Sequence, residues 1–254
     1  MHSAARAMHL LDMLEHERSV NVTEAAARLS VSPSSIRRDL VQLERQGFLT
    51  RVYGGAVAED GADRAAELPR RARASEHAAE KRKIGKAAAR LVGDDQTVLI
   101  TGGSTTDMML HHLGGRMRLT VVTNNLQTAI QAAENPDLTV VVVGGYLRRE
   151  EMSLLGHLGA AALDRLSVDR AFFGAYAVDA DGLMGAELRE TETDRALIGA
   201  AAELIVLADA SKFHRRGPAR LAGASQIATL ITDDGAPAGT LDALKNQGVQ
   251  VICC

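Results

Sequence analysis

The first forty-five positions carry apolar residues at helical spacing. Met8, Leu11 and Leu14 recur on one face of a helix predicted over residues 4–15. Thr23 is placed to cap a second helix whose small apolar face is Ala25, Ala26 and Leu29. Ser32-Pro33 opens a third, because proline at the first helical position gives up an N–H that has no acceptor there anyway. Within it Ile36, Leu40 and Leu43 fall at i, i+4 and i+7 and face inward, and Gly47 closes it. Residues 48–57 read as two short strands around Gly54-Gly55, a β wing. Residues 58–80 lose the large apolar side chains and read as a partly helical linker. From Lys81 helices alternate with β-branched runs at 98–101, 119–123, 138–143, 171–174, 204–208, 227–232 and 249–252. That alternation predicts a mostly parallel sheet covered on both faces. The expected organisation is a winged helix-turn-helix over 1–57, a linker over 58–80 and an α/β domain over 81–254.

Composition narrows the setting. With 46% apolar residues in 254, the chain can bury a large core without staples. The two cysteines, Cys253 and Cys254, are adjacent and make no disulfide framework, which suits a reducing compartment. No apolar run approaches the ~18 residues of a membrane span, and the first residues lack a secretory pattern. A cytoplasmic protein is expected. Charge is uneven: residues 1–90 hold 16 Lys/Arg against 12 Asp/Glu, and the rest hold 13 against 20. A mildly basic head on an acidic body is compatible with nucleic-acid binding.

If Ile36, Leu40 and Leu43 face the core, Ser34, Ser35, Arg37 and Arg38 lie on or beside the outer face of the third helix. In a helix-turn-helix that face enters the major groove, where arginine meets guanine O6 and N7 bidentately and serine reaches phosphate or base edges. Arg51 in the wing is placed for phosphate or the minor groove, and Asp39 for a structural pairing. Helix pattern alone also fits a three-helix protein-binding module with solvated arginines. The longer string, Val31-Ser32-Pro33-Ser34-Ser35-Ile36-Arg37-Arg38-Asp39-Leu40, then Leu43-Glu44, Gly47, Leu49, Arg51 and Gly54-Gly55-Ala56, resembles the signature of the DeoR family of bacterial regulators. Ser35 stands where that family usually has threonine, and Tyr53 where histidine is frequent.

In the body, Gly102-Gly103-Ser104-Thr105-Thr106 follows a strand and leads into a helix. Glycines such as Gly103 let backbone approach an anion, and free N–H groups with hydroxyls supply donors. The Gly-Lys-Ser/Thr ending of a Walker loop is missing, and a tight turn alone would look the same. Thr123-Asn124-Asn125, Gly144-Gly145 and Lys212 also follow strands, whose ends gather on one edge of a parallel sheet. By position alone a lysine such as Lys212 is more often a surface residue. These segments, with Lys81, Ile84, Asp169, Phe172, Gly174 and 209–213, resemble the DeoR-type sensor domain, similar in fold to ribose-5-phosphate isomerases and glucosamine-6-phosphate deaminases. The resemblance implies a sugar-phosphate effector, with Ser104, Thr105 and Thr106 around the phosphate, Lys212 assisting, and Asn124, Asn125, Gly145 and Arg148 on the sugar side. Thr101 shares that strand end, where many members carry aspartate. Glu187 and Glu190 lie in a stretch that often adds polar contacts.

The function expected is therefore a regulator, by family habit a repressor of carbohydrate genes, that binds double-stranded operator DNA as a homo-oligomer, a dimer or tetramer. No cofactor, metal or membrane partner is expected. Two other classes compete. An isomerase or deaminase fused to a DNA-binding head would need a positioned base. Glu190 and Asp209 are candidates, but no paired acid and base stand out, and His111-His112 point apart on their helix. A purely protein-binding adaptor would show no salt-dependent DNA affinity.

Overall fold

The computed structural model describes residues 3–17, 19–45, 49–52, 54–57 and 70–254. It falls into two compact units, Met1–Arg73 and Ala74–Cys254.

The first unit packs α1 (Ser3–Glu17), α2 (Val22–Arg28) and α3 (Pro33–Arg45) with a small antiparallel sheet of β1 (Ser19–Asn21), β2 (Thr50–Val52) and β3 (Gly55–Val57). The strand order is β1-β3-β2. Ile36, Leu40 and Leu43 are buried as their spacing predicts. On α1 the buried residues are Leu10, Met13 and Leu14, with Leu11 at the margin, so the inward face is rotated from the expected one; the side chain of Met8 lies outside the described residues. The cap of α2 is Asn21 and not Thr23. Asn21 is extended, and its Oδ1 accepts from Thr23 N at 2.8 Å and Glu24 N at 3.3 Å. Ser32 Oγ accepts from Ser35 N at the start of α3. The expected stop at Gly47 and the wing residue Tyr53 lie outside the described residues, and β1 has too few residues to show an alternation.

The second unit begins inside the stretch expected to be linker. Residues 70–75 form α4 (Arg70–Ser75), and α5 runs Ala78–Ala89; residues 58–69 lie outside the described residues. There follow β4 (Thr97–Ile100), α6 (Thr106–Leu110), β5 (Leu119–Thr123), α7 (Leu126–Ala133), β6 (Leu138–Val142), β7 (Tyr146–Arg148), β8 (Ser153–Leu155) and α8 (His157–Leu163). The chain continues through β9 (Val168–Gly174), β10 (Ala177–Asp179), β11 (Gly182–Gly185), α9 (Thr191–Gly199), β12 (Ala201–Leu207), β13 (Ala219–Gly223), β14 (Ile227–Thr232), α10 (Ala238–Asn246) and β15 (Gln250–Cys253).

All seven expected strands join one parallel sheet, ordered β15-β14-β12-β9-β4-β5-β6. Alternate residues feed two cores. Leu99, Phe173, Leu204 and Val206 pack on one face; Val98, Ile100, Phe172, Ile205 and Leu207 pack on the other. Burial on both faces explains the near-continuous apolar runs. The chain starts at β4, adds β5 and β6 on one side, then crosses back to β9 on the other. The carboxyl ends of β4 and β9 therefore flank a topological switch point, where open α/β sheets bind ligands. Two small antiparallel sheets, β7-β8 and β10-β11-β13, were not expected from the pattern. No helix of the described residues is long and apolar enough to cross a membrane.

Candidate functional site

In the first unit, α3 presents Ser34, Arg37, Arg38 and Gln42 to solvent opposite the buried Ile36, Leu40 and Leu43. The positions 34, 37, 38 and 42 repeat at helical spacing, so they form one stripe. Gln42 was not singled out from sequence, although the same period points to it. The first turn is tied together locally: Ser32 Oγ lies 2.8 Å from Ser34 Oγ and 3.0 Å from Ser35 Oγ, and Arg38 Nε donates to Ser34 O at 3.4 Å. Ser35 is half-buried. Asp39 points inward and accepts from Arg6 Nε at 2.7 Å, the structural pairing expected of it. Arg51 is exposed in β2, with its N–H donating to Glu44 Oε1 at 3.0 Å and its guanidinium 3.7 Å from Glu44 Oε2.

In the second unit, the sheet brings the segments after β4, β5, β6 and β12 to one edge. Their side chains are used differently. Thr101 joins the two strands of the switch point: its hydroxyl lies within hydrogen-bonding distance of Phe172 O at 3.4 Å and accepts from Gly174 N at 3.3 Å. Thr106 is fully buried, and its hydroxyl closes the turn onto Gly103 O at 3.0 Å. The N–H groups of Gly102, Gly103, Ser104 and Thr105, and the hydroxyls of Ser104 and Thr105, make no hydrogen bond among the described residues. Gly103 and Gly174 face each other: a side chain on Gly103 would come 4.0 Å from the Gly174 backbone and 3.1 Å from Thr106 Oγ1.

Asn124 and Asn125 hold the β7–β8 hairpin against this edge. Asn124 Nδ2 donates to Leu154 O at 3.2 Å, and Asn125 Nδ2 donates to Glu151 O at 2.7 Å. Asn125 Oδ1 also caps α7 by accepting from Gln127 N and Thr128 N. A Cβ on Gly102 would sit 2.1 Å from Asn125 Nδ2, so the anion-type loop and this asparagine fit only with glycine between them. Gly145 has φ +154, and a Cβ there would lie 2.3 Å from Leu155 O, so it permits close approach of β8.

Arg148 on β7 meets Glu190, at the start of α9, with Nη1 2.5 Å from Oε1. That nitrogen lacks an aligned hydrogen bond, so the contact is ionic. Burial opposes the charge on Arg148, but Glu190, with Glu151 and Glu187 behind it, outweighs burial and raises the guanidinium pKa.

At the end of β12, Asp209 is 1% exposed and Lys212 is 6% exposed. Lys212 is therefore no surface lysine. Asp209 Oδ1 accepts from Ser211 N at 3.1 Å and from the Ser211 hydroxyl. Asp209 Oδ2 has no hydrogen bond and lies 3.9 Å from Nζ of Lys81, whose ammonium donates to Glu76 O at 2.8 Å. Burial pushes the Asp209 carboxyl up, but the Ser211 hydrogen bond and the charges of Lys212, Lys81 and His77 together hold it below its usual range. Lys81 was recognised in the sequence only as part of a resemblance. A lone lysine in an amphipathic helix gives no sign that its ammonium is buried. Among the described residues no His/Cys/Asp/Glu group is arranged to hold a metal ion.

Comparison with known proteins agrees with these two units. Residues 6–61 match the DeoR-like helix-turn-helix domain, and residues 76–234 match the DeoR C terminal sensor domain. The chain is 33% identical over 226 residues to the HTH-type transcriptional regulator GolR of Listeria innocua, covering 89% of this chain and 88% of that one. It is 29% identical over 255 residues to the glycerol-3-phosphate regulon repressor of Haemophilus influenzae, covering 100% and 98%. Among solved structures, ribose 5 phosphate isomerase A from Neisseria gonorrhoeae aligns with 18% identity and a TM-score of 0.40 over 54% of this chain and 53% of that one. With a helix-turn-helix ahead of a seven-stranded parallel α/β unit, and both matched to their family counterparts, the chain belongs to the DeoR family of DNA-binding transcriptional regulators.

Proposed function

We propose that the chain is a cytoplasmic repressor that grips operator DNA with its first unit and is released when its second unit binds a phosphorylated sugar. The observation that carries the effector half is the turn after β4: four backbone N–H groups and two hydroxyls with no acceptor among the described residues, beside a switch point of a parallel sheet. That donor array suits a phosphate, which is all acceptors. Ser104, Thr105 and the loop amides with Gly103 take the phosphate, and Lys212 supplies charge. Thr101, Thr106, Asn124, Asn125, Gly145 and Arg148 shape the walls through their protein contacts. A relative is named for a glycerol-3-phosphate regulon, which agrees with a small phosphorylated ligand.

On the DNA side Ser34, Arg37, Arg38 and Gln42 read the major groove, Ser35 braces the helix start, and Arg51 lies along the backbone from the wing. Two heads on a symmetric operator require a homo-oligomer. The protein acts by binding and not by turnover: Glu190 is engaged by Arg148, and the Asp209 carboxyl, held below its usual range, is a poor base near neutral pH.

Fluorescence anisotropy on a DNA site selected from a random pool tests the division. Arg37→Ala and Arg38→Ala are each expected to lose about 1–3 kcal/mol of operator affinity, roughly 5- to 150-fold, while keeping effector-induced thermal stabilisation. Lys212→Ala is expected to keep operator affinity and lose release by sugar phosphates. Full affinity in the double arginine variant, or turnover of a sugar phosphate by the wild type, overturns the proposal.

A further inference from the structure

The basic excess of the first ninety residues does not belong to the helix-turn-helix. Residues 1–69 hold 8 Lys/Arg against 10 Asp/Glu, whereas residues 70–90 hold 8 against 2. Of those eight, three belong to α4 and Lys81 is buried; Arg82, Lys83, Lys86 and Arg90 are exposed on α5 or at its end. A protein that binds duplex DNA draws most of its sequence-independent affinity from cations set against phosphates. The first unit offers Arg37 and Arg38 to the bases, but residues 1–69 carry no surplus of positive charge to hold the backbone.

The four exposed cations make one stripe. At about 3.6 residues per turn, positions 82, 83, 86 and 90 fall within an arc of about 100°, roughly 12 Å long. The opposite face is the buried one, with Lys81, Ile84, Gly85, Ala88 and Ala89. It is fixed there: a Cβ on Gly85 would come 2.7 Å from the Met108 backbone, so α5 lies close against α6 and the stripe faces outward. Glu80, the one carboxylate of α5, falls outside the arc. Among the described residues the side chains of Arg82, Lys86 and Arg90 enter no hydrogen bond or ion pair, and Lys83 is felt by the Cys254 thiol. Helix stability does not account for the pattern. Like charges at i and i+4 disfavour a helix, and the macrodipole favours cations only in the last turn, which leaves Arg82 and Lys83 without gain.

We propose that the outer face of α5 is a second DNA-contact surface, at which Arg82, Lys83, Lys86 and Arg90 neutralise backbone phosphates of the duplex that α3 reads. This rests on the DNA-binding reading and gives the second unit a share of the affinity that carries no sequence information. Charge selects the partner. A stripe of cations matches the edge of a duplex, where each strand sets down a phosphate about every 3.4 Å of axis. The chain keeps head and stripe within reach of one site: Val57 and Ala78 are 21 residues apart. Fully extended, that length spans at most about 70 Å, roughly two turns of duplex. The rest of the second unit is acidic, with 13 Lys/Arg against 20 Asp/Glu over residues 91–254, so a duplex is drawn to α5 and repelled elsewhere.

Anisotropy titrations of the full chain on the selected operator and on a scrambled duplex of equal length, over a range of sodium chloride, test it. The variant Arg82→Gln/Lys83→Gln/Lys86→Gln/Arg90→Gln is expected to bind both duplexes more weakly with their affinity ratio unchanged. Each phosphate contact removed flattens the log–log salt dependence by about 0.9, so the wild-type advantage shrinks about eightfold per contact for every tenfold rise in salt. Arg82→Lys/Arg90→Lys keeps the charge and is expected to keep the wild-type slope. Lys86→Gln/Arg90→Gln is expected to flatten it, whereas Arg165→Gln/Lys245→Gln, equal in charge and exposed elsewhere on the second unit, is expected to leave it unchanged. Glutamine is nearly as good a helix former as lysine or arginine, and melting curves check that each variant folds. Should the fourfold variant not fold, the two pairs decide. A wild-type slope in the stripe variants overturns the proposal, as does equal flattening in the control pair. So does weaker binding that follows a change in oligomeric state, measured by sedimentation on the same samples, because the stripe would then dock on an acidic protein surface. A wild type with no salt-dependent affinity for any duplex overturns the DNA-binding reading itself, a different failure from one in which wild type binds and the variants match it.

Discussion

The two units of this chain handle their polar groups in opposite ways. In the first, the side chains proposed to contact DNA stand outside a small core, and Arg37 and Arg38 are open to solvent. In the second, the polar residues at the sheet edge are nearly all buried: Thr101, Ser104, Thr105, Thr106, Asn124, Asn125, Asp209 and Lys212. A surface that must meet a long polyanion needs exposed cations at a regular spacing, because its partner supplies the desolvation on contact. A pocket that must hold one small anion needs donors fixed before the ligand arrives, and fixing them requires burial and second partners. The first design tolerates change at its surface. The second is coupled to the packing that supports it.

That contrast is broken most forcefully at Phe172. Its side chain is fully buried in the second unit's core, on the strand whose backbone receives Thr101. Phe172→Ala is expected to lose about 3–5 kcal/mol from the second unit, the range for truncating a buried aromatic. Chemical denaturation should show the second unit's transition moving to lower denaturant and the phosphate response falling, while operator-binding affinity per folded head persists. Equal losses in both units would show that their stabilities are not separable.

A smaller effect sharpens the comparison from the other side. Asn21 caps α2 through two backbone N–H groups. Asn21→Ala is expected to cost about 1 kcal/mol, confined to the first unit's unfolding transition. Operator affinity should fall only by the fraction of heads unfolded. A loss of phosphate-induced stabilisation in the same variant would contradict the separation.

The difference between the units also explains what could be read from the sequence. All seven sheet strands were legible because a doubly covered parallel strand is a nearly unbroken apolar run, and α3 was legible because its buried and exposed positions keep a 3.6-residue period. The segments that follow the strands could be named for the same reason: in a parallel sheet they share one edge. What each side chain does there could not be read. Asn125 caps α7 locally and also ties down the β7–β8 hairpin through Glu151 O, a partner twenty-six residues away. Arg148 is paired with Glu190, forty-two positions later, and Lys81 with Asp209 across most of the unit. The short strands β1, β7, β8, β10, β11 and β13 carry too few alternations to stand out, and α1 carries apolar residues at enough positions for two faces to compete. Period reports which side of an element is wet, and says nothing about which buried groups meet.

The finest test of the second unit's design is its acid limb. The Asp209 carboxyl is held below its ordinary range in the folded chain: burial opposes ionisation, but Ser211, Lys212, Lys81 and His77 favour it more strongly. A lowered folded-state pKa contributes stability that is fully present above the unfolded value, about 3.9, and that is lost as pH falls through the folded value. In that window the unfolded chain takes up a proton that the folded chain does not, so unfolding gains on folding. The stability gap between wild type and Asp209→Asn is therefore expected to be constant above about pH 5 and to narrow below about pH 4, since asparagine has no proton to take up. Denaturation midpoints of both proteins from near-neutral to acidic pH measure it. A gap that stays constant into acid would mean that the lysines do not hold the carboxylate ionised, and that the burial of Asp209 serves packing alone.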